Sequence, residues 1–133
     1  GNMGESLEQQ VHLAIFKTIR QIAEEGPCVI IGRCADYALA EFPNVVNVFL
    51  HADLQDRIVR IARRHDLTDA KAKDLIIKTD KRRASYYNYY TSKKWGDAAG
   101  YDLSLNTATL GIDGTIHMIR EFGAYKEKEH DKI

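Results

Sequence analysis

Apolar positions along this chain recur with two different periods. Over residues 6–24, Leu7, Val11, Ile15, Ile19 and Ile22 follow the three-to-four spacing that turns one face of a helix toward a core. Ser6 or Asn2 is available to cap its start, and Gly26-Pro27 stops it. After a short connection comes the continuous run "CVIIG" at 28–32, which has the β-branched character of a strand buried on both faces. A short helix is predicted around residues 35–40, and Pro43-Asn44 turns the chain into a second β-rich run at 45–50. Residues 53–64 return to helical spacing, with Asp53 as N-cap and Leu54, Ile58 and Ile61 as the apolar stripe. A long charged helix begins at Thr68 and reaches about Tyr90. The segment "WGDAAG" is a loop, residues 101–107 form a third strand, and a last helix covers 115–122. The charged tail after Ala124 is expected to fray.

Strands that alternate with helices and are nearly continuous in apolar character predict a three-layer α/β fold, a parallel sheet flanked by helices on both faces. Ligands in such sheets bind beyond the carboxyl ends of the strands. Arg33 lies just past the end of the first run, and Asn106-Thr107 closes the third.

Composition narrows the function classes. A chain of 133 residues can bury one real core, and 44% apolar with 29% charged residues is the balance of a soluble globular domain. Lys plus Arg and Asp plus Glu are 19 each, so the net charge is zero, which argues against a general nucleic-acid or membrane-surface binder. Cys28 and Cys34 carry no metal-ligand spacing and follow no secretion signal, so they read as free thiols of a cytoplasmic protein. The polar, glycine-rich start "GNMGES" reads as a loop and not a targeting peptide. No apolar run approaches the ~18 residues of a membrane span. The five histidines are scattered and read as structural or surface groups.

Three places can carry chemistry. Arg33 follows an apolar run and a glycine. It is either a surface arginine at a strand end, or one pairing with Asp36, or an anion clamp whose planar fork matches a phosphate. In the helix 53–64, Arg57, Arg60 and Arg64 fall in one narrow sector with Arg63 further round. That is either a solvated face balanced by Asp53 and Asp56, or a cluster awaiting an anion. Between residues 78 and 95, six cations (Lys78, Lys81, Arg82, Arg83, Lys93, Lys94) face one acid, Asp80, leaving +5. Arg82, Arg83, Tyr86, Tyr89 and Tyr90 share one side of that helix. The tyrosines either pack it or stack on a base while the arginines grip phosphate. An RNA-binding domain is the corresponding alternative, which the neutral chain weakens.

The ordered segments "GRCADYALAEFPNVVNVFLHADLQDRIVRI", the basic helix with its "YY", and "YDLSLNTATLGIDG" resemble the nucleoside monophosphate kinases, nearest the cytidylate-kinase-like proteins, over roughly residues 28–119. The resemblance implies a P-loop kinase fold over residues 1–133 with a helical lid at about 64–95. It implies ATP and Mg²⁺ as cofactors, and transfer of the γ-phosphoryl group to a nucleoside monophosphate, CMP or dCMP-like. It further implies that Arg33 grips the acceptor phosphate with Asp36 as a substrate partner. Arg57 and Arg60 would stand at the lid entry, and Asp80, Arg82 and Arg83 at its return. Arg60, Arg64, Arg82 and Arg83 would close over the transferring group, Asp80 and Tyr86 would meet the substrate, and Asn106 and Thr107 would lie by the donor adenine. Two departures accompany it. Thr79, Arg83 and Tyr86 stand where ordinary cytidylate kinases carry an Arg/Asp/Arg set. No G-x-x-x-x-G-K-[ST] occurs after an N-terminal strand, so the chain is expected to start inside the fold, without the first strand and phosphate loop. A non-catalytic nucleotide-binding or regulatory module of the same fold is the alternative.

Overall fold

Helix α1 (Leu7–Glu25) starts on a reciprocal capping box: Ser6 Oγ accepts the Gln9 N–H at 3.1 Å, and Gln9 Oε1 accepts the Ser6 N–H at 3.2 Å. The computed structural model describes residues 6–131, so Asn2 and the start of the chain lie outside the described residues. Two units divide at Val45. In the first, α1 packs on the one-turn helix α2 (Ala35–Ala38). Ile19, Ala38 and Leu39 form the core, with Ile15, Phe16, Ile30 and Phe42 against it. His12 is buried with its ring 4.2 Å from Phe16, and burial lowers its pKa.

The expected strand at 28–32 does not form. Val29 and Ile31 are 91% and 90% exposed, and of the three only Ile30 packs on the core. β-Branched residues supply propensity, but a strand also needs a hydrogen-bonded neighbour, and none pairs with this run among the described residues. The segment ends in three successive left-handed residues, Gly32, Arg33 and Cys34, with φ of 71°, 58° and 56°.

The second unit carries β1 (Val48–His51), α3 (Leu54–His65), α4 (Asp69–Thr91), a 3₁₀ turn (Ala98–Gly100), β2 (Leu103–Asn106) and α5 (Thr107–Asp131). β1 and β2 pair in parallel, from Val48 opposite Leu103 to His51 opposite Asn106, and the α3–α4 pair forms the crossover that parallel strands require. Their entry ends are tied together: the Asn47 N–H donates to the Asp102 carboxylate at 2.7 Å, and the Asp102 N–H to the Asn47 carbonyl at 2.8 Å. Below them the Phe49 ring meets Trp95 edge-on at 5.2 Å and Tyr101 at 5.0 Å. Gly96 makes room for that ring: its φ is 81°, and a Cβ there would stand 3.2 Å from Phe49.

The α3–α4 hairpin turns through a left-handed Asp66, after which Thr68 Oγ1 caps α4 by accepting the Lys71 N–H. Ile58, Ala72 and Ile76 form its core, with Ile61, Ala62 and Leu67 packed against them. Ala72 is fully buried, so a methyl group sets how closely the helices approach.

Helix α5 starts eight residues earlier than the expected 115, because the Asn106 side chain caps it and the chain passes Gly111 (φ 71°, ψ 177°) as a break within the helix. The tail does not fray as far as residue 131; its Lys and Glu residues are strong helix formers. Among the described residues the elements are therefore mixed α/β and mostly helical, and the second unit carries a two-stranded parallel sheet in place of the expected three-layer one.

Candidate functional site

Arg57 points from α3 onto α4, where both its terminal nitrogens donate to both oxygens of Asp80 at 2.7 Å. This planar fork-to-fork pair clasps the two helices, and the bond to Asp80 pushes the guanidinium above its already high pKa. The side chains are 34% and 28% exposed, so the pair stands at the rim of the hairpin core rather than within it.

Beside the clasp lies a groove of about 300 Å³, lined from α3 by Arg57, Arg60, Ile61 and His65 and from α4 by Leu75, Ile76, Thr79, Asp80 and Arg83. Three guanidinium groups and one carboxylate give it a net charge of +2. Arg60 and Arg83 form no ion pair among the described residues. Two uncompensated guanidinium groups converging on one cavity repel each other, and an anion between them reverses the sign of that energy. The buried Ile76 and half-buried Ile61 in the lining lower the local dielectric and strengthen the attraction.

Of the residues singled out from the sequence, the hairpin brings Arg57, Arg60, Asp80 and Arg83 together. Arg64 and Arg82 are exposed and outside the groove lining. Tyr86 is half-buried one turn beyond Arg83, its ring 4.7 Å from that of Tyr90. At the carboxyl ends of the strands, Asn106 Oδ1 accepts the N–H groups of Ala108 (3.0 Å) and Thr109 (3.3 Å), and the Thr107 hydroxyl donates to the His51 carbonyl at 3.4 Å. Both side chains are thus engaged in fixing where α5 leaves the sheet. In the first unit, Arg33 is exposed and makes no ion pair among the described residues, while Asp36 Oδ1 accepts the Tyr37 N–H at 2.9 Å. His65 is the groove residue that sequence reasoning set aside as a scattered histidine. Its position four residues after Ile61, on the same helical face, was the available signal.

A family model described as the cytidylate kinase-like family matches residues 1–109. The chain belongs to the cytidylate kinase-like family. Curated relatives within reach of this family member include a cytidylate kinase of Thermococcus sibiricus, 33% identical over 128 residues that cover 89% of this chain and 65% of that protein. A cytidylate kinase of Halobacterium salinarum is 25% identical over 126 residues, covering 94% of this chain and 65% of its own. The chain thus spans just under two thirds of the length of these relatives. A crystal structure of an uncharacterized protein from Eubacterium ventriosum superposes with a TM-score of 0.86 at 29% identity, over 93% of this chain and 70% of that one.

Proposed function

We propose that this cytidylate kinase-like protein is a nucleoside monophosphate kinase that passes the γ-phosphoryl group of ATP to an acceptor monophosphate, CMP or dCMP-like. The observation that carries the reading is the α3–α4 groove, in which Arg60 and Arg83 face one cavity without ion-pair partners beside the fixed Arg57–Asp80 clasp. In the reaction an acceptor phosphate oxygen bonds to the γ-phosphorus as the bond to the β,γ-bridging oxygen breaks, giving ADP and the nucleoside diphosphate. Such a transfer needs positioning and charge neutralisation more than covalent chemistry. Arg60 and Arg83 would neutralise the equatorial oxygens, with Arg64 and Arg82 joining them on closure of a lid spanning about 64–95. Asp80 would hold Arg57 in place, and Tyr86 would meet the acceptor. Arg33, at its left-handed turn after Gly32, would take the acceptor phosphate with Asp36 beside it, and Asn106 and Thr107 would border the donor adenine.

Two requirements lie outside the groove. Among the described residues no group of three or more His, Cys, Asp or Glu is placed to hold a metal ion, and both oxygens of Asp80 are taken by Arg57. The groove therefore does not fit Mg²⁺, which would arrive with the donor nucleotide. The donor phosphates also need a glycine-rich cradle with the flanking sheet of a three-layer P-loop fold. These 133 residues contain no such motif, so the reading requires it from elsewhere in the protein. Among the described residues no helix is long and apolar enough to cross a membrane, and a cytoplasmic location suits an ATP-consuming kinase.

A coupled ADP-release assay of the full-length protein across the common nucleoside monophosphates tests the proposal. Acceptor-dependent ADP release whose kcat/KM falls at least about tenfold in Arg60→Ala and Arg83→Ala is expected. Arg33→Ala should chiefly raise KM for the acceptor. Nucleotide binding without acceptor-dependent release would make the protein a binding module instead.

A further inference from the structure

We propose that His65 is a further ligand of the phosphoryl group in this groove, bound as the imidazolium, so that the anion and a proton enter together. The inference rests on the phosphate reading of the groove given above and adds to it one residue and a pH dependence. His65 is the last residue of α3 and lines the cavity with Arg57 and Arg60 of its own helix and with Asp80 and Arg83 of α4. Those four are the other charged groups of the lining; Arg64 and Asp66 flank His65 in sequence and lie outside it. The imidazole is exposed and makes no hydrogen bond or ion pair among the described residues, so both ring nitrogens are open to a ligand.

Two opposing fields act on this ring. The carboxyl end of a helix favours a cation, and His65 occupies that end of α3. Arg60 and Arg83 disfavour a further positive charge in the groove, and Asp80 does not offset them because Arg57 holds both its oxygens. An oxyanion between the arginines removes the second field and leaves the first. Histidine is the side chain whose charge changes between about pH 5 and 8, so this cation is added to the groove within the ordinary pH range. By linkage, the proton tightens the anion by the same factor as the anion tightens the proton. His65 stands about 7.5 Å along α3 from Arg60, and both are exposed, so water and salt keep that factor to about threefold to tenfold.

The test is an NMR titration of the full-length protein with sulfate at low salt, because sulfate has the shape of phosphate and a charge that does not change between about pH 5.5 and 7.5. Affinity is read from the Arg60 and Arg83 amide signals, which separates this groove from any other anion site. Wild type should bind sulfate about threefold to tenfold more tightly at the lower pH. His65→Gln should bind at both pH values as wild type does at the higher one, and His65→Lys at both as wild type does at the lower one. The Gln variant also subtracts the other histidines. In wild type, the His65 ring-proton signal should titrate about 0.5–1 pH unit higher with saturating sulfate than without, the same factor seen from the proton's side. That readout decides by itself where a variant does not fold. Sulfate binding without pH dependence, a dependence that persists in His65→Gln, or a His65 titration unmoved by sulfate overturns the proposal and leaves the phosphate reading in place. Arg60 and Arg83 signals untouched by sulfate at either pH overturn both.

Discussion

Replacing Arg57 and Asp80 by Ala, singly and together, measures the clasp that holds the groove's two walls. Each partner donates or accepts two charge-assisted bonds at 2.7 Å, and the side chains are 34% and 28% exposed. A fully exposed pair would couple by about 0.2–1 kcal/mol, and breaking a buried one would cost about 3–5 kcal/mol. One-third exposure with two-pronged geometry places the coupling between them, at about 1–2 kcal/mol after discounting for solvent screening. For a chain of this size each kcal/mol corresponds to a shift in Tm of roughly 3–6 °C. Urea unfolding followed by far-UV circular dichroism on the four proteins gives the coupling directly. The value should fall only modestly in ~0.5 M salt, because the pair is partly shielded from mobile ions. A coupling below about 0.3 kcal/mol would refute the reasoning, since the two helices would then be held by their apolar core alone and Arg57 would be free to swing into the groove.

Gly96→Ala should destabilise by about 1–3 kcal/mol in thermal unfolding, since it places a side chain at φ 81° with its Cβ 3.2 Å from the Phe49 ring. Thiol labelling should separate the cysteines: Cys28 is exposed, whereas burial, aided by the charge of Asp36, pushes Cys34 up to about 11. At pH 8 Cys34 is thiolate in only about one molecule in a thousand, so it should react last, and its labelling rate should rise about tenfold per pH unit up to that value. His12 has its folded pKa lowered by burial, so the stability it allows is full above its ordinary value of 6.5 and is lost as the pH falls through the lower folded value. His12→Gln should flatten that acid limb in denaturation curves recorded between pH 7 and 5.

Helices were legible where the apolar period was long. Leu7 to Ile22 and the Leu54–Ile58–Ile61 stripe locate α1 and α3, and Ser6 and Thr68 start α1 and α4 by capping. β2 lies within the run 101–107 and β1 overlaps the run 45–50, passing it by one residue to His51, because Val48, Phe49 and Leu105 carry real β propensity. The run Val29-Ile30-Ile31 misled for a physical reason: a strand is a property of two segments, and one segment's residues do not say whether a neighbour is there to pair with. The start of α5 was set too late because Gly111 and Gly114 read as loop, although Asn106 already caps a helix that tolerates one break. In the groove, the arginine cluster of α3 was visible as a charge pattern. That Arg57 meets Asp80, 23 residues on, depends on how the hairpin closes, which periodicity on either helix alone does not contain. His65 was missed because its neighbours in the groove come from the other helix.

The most direct test is a ¹H–¹⁵N NMR titration of the protein with a nucleoside monophosphate, comparing wild type with Arg83→Ala. The account predicts amide and arginine side-chain shifts concentrated on α3 between Arg57 and His65 and on α4 between Leu75 and Arg83, weakened at least about tenfold in affinity by the substitution. Shifts that spare both helices, or an Arg83→Ala protein that titrates like wild type, would contradict the claim that this hairpin groove is where phosphate is held.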